Sequence, residues 1–401
     1  MSFPARPLGA FSRANPVAPA AGAGASSGSA KRPVRNNVKS VDQAGKNDAR
    51  MAAYKAKNTS AKLLRTQGEK LGALGKRVSH CRYVARAEMV ALEKRETSAR
   101  FGGLKSCNSV WCCPVCSARI SAGRRDELNA LLSGARSEGL AVVMLTLTAS
   151  HKRGMNLAAW LAAFKDAKRR FRQRREWRAL SGVFVGSVTA TEVTHSEANG
   201  FHPHYHELLV LNCSADDALQ HVEGLREAWL ASLAAYGLSG NEHAFQVQPA
   251  SAAGEYVGKF GAAEELALHG SKQGRKGSRS PWQLLADAGD PENERAARDA
   301  AIWLEFAAAF LGRRQLVWSP GLKARFSIEE RADDEIPEGE AEQIPELLRV
   351  WAGSSEGWRM ARRRSVALLS AAEAGTDLDA AEFGPTDAER WRGMVRGPVV
   401  E

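Results

Sequence analysis

Three histidines at alternate positions, His202, His204 and His206 in "FHPHYHELLVL", are the residues of this sequence best spaced to do chemistry together. On a strand, side chains two apart point the same way. His204 and His206 therefore project from one face and can share a divalent metal. A third ligand is expected from the preceding strand, where Glu192 is the one acid of "TATEVT". If the connecting hairpin is centred on Asn199, Glu192 lies opposite His206 and shares its face. A tight two-residue Asn199-Gly200 turn would slip the register by one and aim the carboxylate away, so the metal reading requires a longer loop. Two imidazoles and a carboxylate leave coordination positions open, as a Lewis-acid site acting on a phosphate needs. Without a metal, Glu192 would be an exposed strand carboxylate in a surface pair.

A nucleophile for such a site can be sought among the five tyrosines, at 54, 83, 205, 236 and 256. Tyr54 falls in an apparent tail and Tyr83 beside a cysteine region. Tyr205 alternates to the wrong side of its strand, and Tyr236 continues an apolar stripe. Tyr256, in "GEYVGKFG", remains. Lys259 follows three residues later, on the same face of a helix, where an ammonium could favour the phenolate or bind phosphate. Taken alone, Tyr-x-x-Lys is a weak pattern that fits an ordinary amphipathic helix better than a site.

Four of the six cysteines cluster in "CNSVWCCPVC" at 107, 112, 113 and 116, with Cys81 upstream. Cys113-Pro-Val-Cys116 has the spacing of a zinc knuckle, and Cys81 and Cys107 can supply the other two thiolates of a structural zinc site. Cys112 competes with Cys113, which is preferred because proline follows it. Cys213 reads as a small buried hydrophobe. So few cysteines in 401 residues suit a reducing compartment rather than a disulfide scaffold.

The chain carries 56 Lys and Arg against 45 Asp and Glu, and 44% of it is apolar, enough for a full core. No apolar run approaches the ~18 residues of a spanning helix. The segment "FKDAKRRFRQRREWR", Phe164 to Arg178, holds eight bases and two acids. Lys168, Arg169, Arg170, Arg172, Arg174 and Arg175 are its candidate DNA-binding residues, because such density repels itself unless phosphates balance it. A second basic run, "GSKQGRKGSRS" from Gly270, reads as a loop near the same partner. Residues 1–60, with ten bases, two acids and hardly a large apolar side chain, read as a disordered basic arm. Between Glu329 and Glu346 nine acids meet one base, which reads as an acidic linker leading into a C-terminal tail over 329–401. The stretch "VWAGSSEGWRMARRRSVALL" inside that tail has the pattern of an amphipathic helix.

The elements that must position these residues alternate in period. "AVVMLTLT" predicts a strand, and Leu157, Trp160, Leu161, Phe164 and Phe171 predict a helix over Asn156 to Leu180. Val183 to Val193 and His204 to Leu211 predict two strands of a hairpin. Ser214 begins a helix whose stripe runs from Ala218 to Tyr236. "HAFQVQP" predicts a fourth strand and Ala252 to His269 a third helix. The order β-α-β-β-α-β is that of an α+β, ferredoxin-like (RRM-like) unit, an antiparallel sheet with helices on one face and the other face free for a site. The expected division is a cysteine zinc segment and helix over 75–137, then a catalytic domain over 138–328.

In combination these residues resemble a plasmid rolling-circle replication initiator, within the wider group of His-hydrophobic-His single-strand endonucleases. The matching pieces are "SVWCCPVCSARIS", "MLTLTAS", "TATEVTHS", "HPHYHELLVL", "GEYVGKFG", "SPWQLLADA" and "GRRQLVWSPGLKARF", in family order from about residue 75 to 328. The histidine motif is shared with conjugative relaxases and some transposases; its combination with the cysteine block, Tyr-x-x-Lys and "WSPGL" is more specific. The resemblance implies that His204 and His206 bind Mg²⁺ or Mn²⁺, with Glu192 completing the site and His202 a lesser candidate. It implies that Tyr256 attacks a phosphodiester of the origin strand, giving a 5′-phosphotyrosine and a 3′-hydroxyl that primes a host polymerase, and that Lys259 steadies the phosphate. A host helicase is the other expected partner, and the cytoplasm the expected compartment.

Some relatives carry a glutamate one turn before the tyrosine. Here position 252 is alanine, and Glu255, the neighbouring candidate, points about 100° round the helix. Cleavage is expected on single-stranded or extruded hairpin DNA, because the tyrosine must meet an unstacked strand. The alternatives are a transposase of the same catalytic group and a non-catalytic zinc-containing DNA-binding regulator.

Overall fold

The computed structural model describes residues 43–96, 98–249, 277–336 and 345–384. It opens with two helices, α1 (Gln43–Arg65) and α2 (Glu69–His80). The first corrects the extent of the basic arm. From residue 43 the chain is helical, and Ala56, Lys57, Ser60, Ala61 and Leu64 are buried. The contact stripe is made of small side chains, so composition alone resembles a tail, while alanine is the best helix former. Tyr54 is accordingly on a helix, edge-on to Tyr83 with ring centroids 6.1 Å apart. Next come the hairpin β1 (Met89–Lys94) and β2 (Ala99–Gly102) and the long helix α3 (Pro114–Ser137), which has proline in its first turn.

The central unit begins with β3 (Ala141–Leu147) and α4 (Leu157–Gln173), whose N-cap Asn156 accepts from the Ala159 amide. After the short α5 (Arg175–Arg178) come β4 (Phe184–Ser196) and β5 (Gly200–Leu211). Ser214 caps α6 (Ala215–Glu223), and α7 (Arg226–Ala234) and β6 (Phe245–Gln248) follow. The single helix expected from Ser214 is thus two, parted at Gly224 and Leu225. The helix expected over Ala252 to His269 lies outside the described residues. Beyond it are α8 (Pro281–Ala288), closed by a Ser280/Gln283 capping box, α9 (Ala296–Phe310), β7 (Leu316–Trp318) and α10 (Leu322–Arg325).

The five strands run in the order β6-β3-β5-β4-β7, every neighbouring pair antiparallel. Pleating divides their side chains between two cores. Leu145, Leu147, Tyr205 and Leu209 face α4 and α7, where Phe164 stacks on Tyr205 with centroids 4.6 Å apart. Val142, Met144, Val188, Leu208 and Val210 face Leu128, Leu131 and Ala135 of α3. The second face is therefore not free along its whole length. Helix α3 covers one part of it, and Glu192, His204 and His206 continue the same face.

The C-terminal segment also departs from expectation. Residues 346–352 form a strand, β8 (Glu346–Ala352), that pairs antiparallel with β1 to make the three-stranded sheet β2-β1-β8. The short helices α11 (Glu356–Ala361), α12 (Ser365–Ala374) and α13 (Leu378–Phe383) close a third core, with Trp358 5.4 Å from Phe101 and 5.8 Å from Trp351. The strand is brief and abuts an acidic run, and its partner lies some 250 residues earlier, so no local pattern marks it. Residues 1–42, 337–344 and 385–401 lie outside the described residues.

Candidate metal centres

The hairpin joining β4 to β5 sets the first site. Ser196 pairs with Gly200, leaving Glu197, Ala198 and Asn199 as a three-residue loop, and the Asn199 amide donates to Ser196 Oγ at 3.1 Å. Gly200 has φ +76°, and a Cβ there would sit 3.3 Å from Arg153 Cα, so glycine is required for both reasons. The tight turn does not occur, but the loop is centred on Ala198 rather than Asn199. Glu192 consequently pairs with His204, not His206, which stands opposite Ala190. A shift of two residues preserves the face, so the carboxylate still meets both rings.

Glu192 Oε2 lies 2.9 Å from His206 Nε2 and 3.3 Å from His204 Nε2. The three donor atoms lie within 4.8 Å of one another, a set that could hold a metal ion. Thr146 Oγ1, from β3, is 3.0 Å from His206 Nδ1 and orients that ring, as a second partner does for metal-ligating histidines. His204 Nδ1 is buried with no hydrogen-bond partner among the described residues. Desolvation opposes the charge on Glu192, yet the hydrogen bonds of His204 and His206 hold its carboxyl well below the usual range. Burial holds His206 below its ordinary 6.5 against the pull of Glu192, which keeps its ring neutral and its lone pair available near neutrality.

His202 does not join the set. Its Nε2 is 3.1 Å from Thr148 Oγ1, and its ring stacks on His151 at 4.4 Å, with burial first and His151 next lowering its pKa to about 4. Tyr256, Lys259 and Glu255 lie outside the described residues. Tyr205 is on the opposite face, packed on Phe164, as the alternation requires.

Two of the six basic residues assigned to DNA turn inward. Lys168 Nζ is 3.3 Å from Glu207 Oε1, and Arg172 forms a short ion pair with the same oxygen. Thr189 Oγ1 donates to it at 2.9 Å. Glu207 is fully buried on β5, facing α4. Desolvation would raise its pKa, but Arg172 and Lys168 hold it at about 2. Sequence reading missed Glu207, although the signal was present: an acid at a core position of "HELLVL" demands a cation, and Lys168 and Arg172 share the inner stripe of α4 with Phe164 and Phe171. Arg169, Arg170 and Arg175 are exposed. Arg174 and Arg175 lie near Glu176, at 3.4 and 3.6 Å. In the second basic run, residues 270–276 are outside the described residues. Arg279 is bound by Asp287 and Asp299, each at 2.7 Å, and by Glu197 at 3.0 Å, so it serves the fold.

The second centre is a buried group of four thiols. Cys81 caps the end of α2, Cys107 lies in the loop between β2 and α3, and Cys113 and Cys116 stand at the start of α3. Cys116 Sγ is 3.5 Å from Cys81 Sγ and 3.6 Å from Cys107 Sγ, and Cys113 Sγ is 3.8 Å from Cys81 Sγ. All four could ligate one ion. Cys112 lies outside the group, its thiol pushed up to about 12 by burial. Hydrogen bonds from Cys107 and Cys113 hold the Cys116 thiol far below its ordinary value, the state a metal ligand needs. Lys57, fully buried on α1, was also missed. Its Nζ donates to the Cys81 carbonyl at 2.8 Å and lies 3.4 Å over the Tyr83 ring, which places a positive charge beside the thiols.

An α+β protein with antiparallel sheets, an open-sided cluster of two histidines and a glutamate, and a buried four-cysteine group defines the class. The family model described as "Replication protein" matches residues 100–222, a span holding Cys107, Cys113, Cys116, Glu192, His204 and His206. A relative named "Protein rep", from Streptomyces lividans, is 25% identical over 365 residues, covering 73% of this chain and 80% of the relative. A "Neomycin resistance protein" from Streptomyces cyanogenus is 26% identical over 136 residues, covering 27% of this chain and 31% of its own length. No solved structure matches significantly. The resemblance to Rep-type plasmid replication proteins is upheld. No described helix is long and apolar enough to cross a membrane.

Proposed function

We propose that this chain initiates rolling-circle replication in the cytoplasm by nicking one strand of its plasmid origin. The observation that carries the reading is the convergence of Glu192 Oε2 on His206 Nε2 at 2.9 Å and His204 Nε2 at 3.3 Å. The strand order β6-β3-β5-β4 supports the ferredoxin-like reading of the catalytic unit, since the two strands carrying the site are adjacent near its centre. Glu192, His204 and His206 would hold Mg²⁺ or Mn²⁺, which supplies charge withdrawal from the phosphoryl oxygens when bound. Tyr256 is the nucleophile: its phenolate oxygen bonds to phosphorus, the bond from phosphorus to the 3′ oxygen breaks, and that oxygen takes a proton. The products are a 5′-phosphotyrosine and a 3′-hydroxyl that primes the host polymerase, with a host helicase opening the duplex ahead. Lys259 steadies the phosphate, Glu255 stands beside the nucleophile, and Arg169, Arg170, Arg174 and Arg175 contact the DNA backbone. Cys81, Cys107, Cys113 and Cys116 would hold a structural zinc, since four thiolates form a closed set with no open position.

The test is a labelled single-stranded origin oligonucleotide incubated with the full chain and Mn²⁺. The expected product is a protein-bound label that survives denaturation, lost in Tyr256→Phe and in His204→Ala/His206→Ala. A conjugate formed by Tyr256→Phe would remove Tyr256 from its role, and undiminished cleavage under chelator would remove the metal.

A further inference from the structure

We propose that a second groove, on the cysteine side of the molecule, grips the phosphate backbone of duplex DNA. A cavity of about 770 Å³ is lined by Arg77 and His80 of α2, by Arg82, Arg86 and Lys105, and by Arg119 of α3, with Asp334 its one acidic lining residue among those described. Arg77, Arg86 and Lys105 are exposed, and their side chains pair with no carboxylate among the described residues. A neighbouring cavity of about 340 Å³ shares Arg82 and Arg100 and adds Arg50 and Arg95. Arg100 is held by Glu93 at 2.7 Å and Arg50 by Glu373 at 2.6 Å. Arg95 is not so held: its Nε and Nη1 are buried without a hydrogen-bond partner among the described residues, a deficit that an incoming acceptor would fill.

The four-cysteine group explains why these cations face one groove. Arg82 directly follows Cys81, Lys105 stands two residues before Cys107, and Arg119 three after Cys116. The thiols that tie together α2, the loop and α3 thereby bring their flanking charges to a common wall. Three exposed cations on one wall without a carboxylate partner among the described residues, Arg77, Arg86 and Lys105, favour a polyanion. Single-strand sites add aromatic platforms on which bases stack. Among the described residues the one Phe, Tyr or Trp ring in this lining, Phe101, is only 5% exposed, and the other ring is the single imidazole of His80, which leaves backbone contact as the main mode. A duplex presents that backbone with its bases already stacked inside. The groove holds whether or not Tyr256 cleaves, because it uses none of the histidine-face residues.

The decisive measurement is fluorescence anisotropy of the full chain and its Arg77→Glu/Arg86→Glu/Lys105→Glu variant, with a labelled duplex and the corresponding single strand between about 50 and 200 mM salt. Loss of three phosphate contacts should lower the steepness of log K against log salt for duplex by about 2.7, at roughly 0.9 per contact, and weaken duplex binding at least about tenfold at the lower salt. Single-strand binding should fall less. Unchanged duplex affinity and slope in a variant that melts like the parent would overturn the proposal, and so would an equal loss for both DNA forms. Should the triple variant fail to fold, Arg86→Gln/Lys105→Gln replaces it, with an expected slope change of about 1.8.

Discussion

Replacing Glu207 by glutamine tests the electrostatic support beneath the histidine strand. The side chain is fully buried between β5 and α4, with Arg172 and Lys168 as its cations and Thr189 as a further donor. Its pKa falls from an ordinary 4.5 to about 2 in the folded state. At ~1.4 kcal/mol per unit, that difference is worth about 3 kcal/mol. The sign follows from the direction of the shift. Because the folded value is depressed, the unfolded chain binds the proton more readily as pH falls, so this stability is complete above about 5 and is lost from 4.5 down through 2. Seen from the other partners, the same loss is that of the counter-charge for two buried cations, Arg172 and Lys168, so it is not added to this figure. Urea unfolding of the two proteins at pH 7 should therefore differ by about 3 kcal/mol, and by only about 1 kcal/mol at pH 3. A gap that stays constant across that pH range would mean that lost packing, not lost charge, is responsible. Equal stabilities at pH 7 would refute the electrostatic account altogether.

Three further variants probe the candidate metal centres. Cys113→Ser should abolish bound zinc, as read by elemental analysis of the purified protein, whereas Cys112→Ser should retain about one equivalent; the reverse pattern would exchange their roles. Glu192→Gln should weaken Mn²⁺ binding at least as much as the ~10–100-fold typical of an outer-shell change, as followed by isothermal titration, and an affinity within twofold of the parent would exclude the carboxylate as a ligand.

Much of the site is legible in local pattern. The alternation of His202, His204 and His206, the Cys113-Pro114-Val115-Cys116 spacing and the capping residues Asn156 and Ser214 state their geometry within a few residues of themselves, because strand pleat and helix pitch are local properties. Parity in the hairpin was not readable in this way: the Asn199-Gly200 pair also fits a tight two-residue turn, and only the observed three-residue loop, like any loop with an odd number of residues, returns Glu192 to the histidine face. The particular partner, His204 rather than His206, was not, since it depends on where the loop is centred. Tertiary structure alone decided which charges serve ligands and which serve the core. Lys168 and Arg169 are neighbours in one basic run, yet one neutralises buried Glu207 and the other faces solvent, and only the placement of α4 against the sheet separates them. Likewise the strand β8 exists because β1 offers it an edge, and α1 is ordered where its alanines meet α2 and the thiol group. Those outcomes rest on contacts between segments far apart in the chain, whose energies no single stretch of sequence contains.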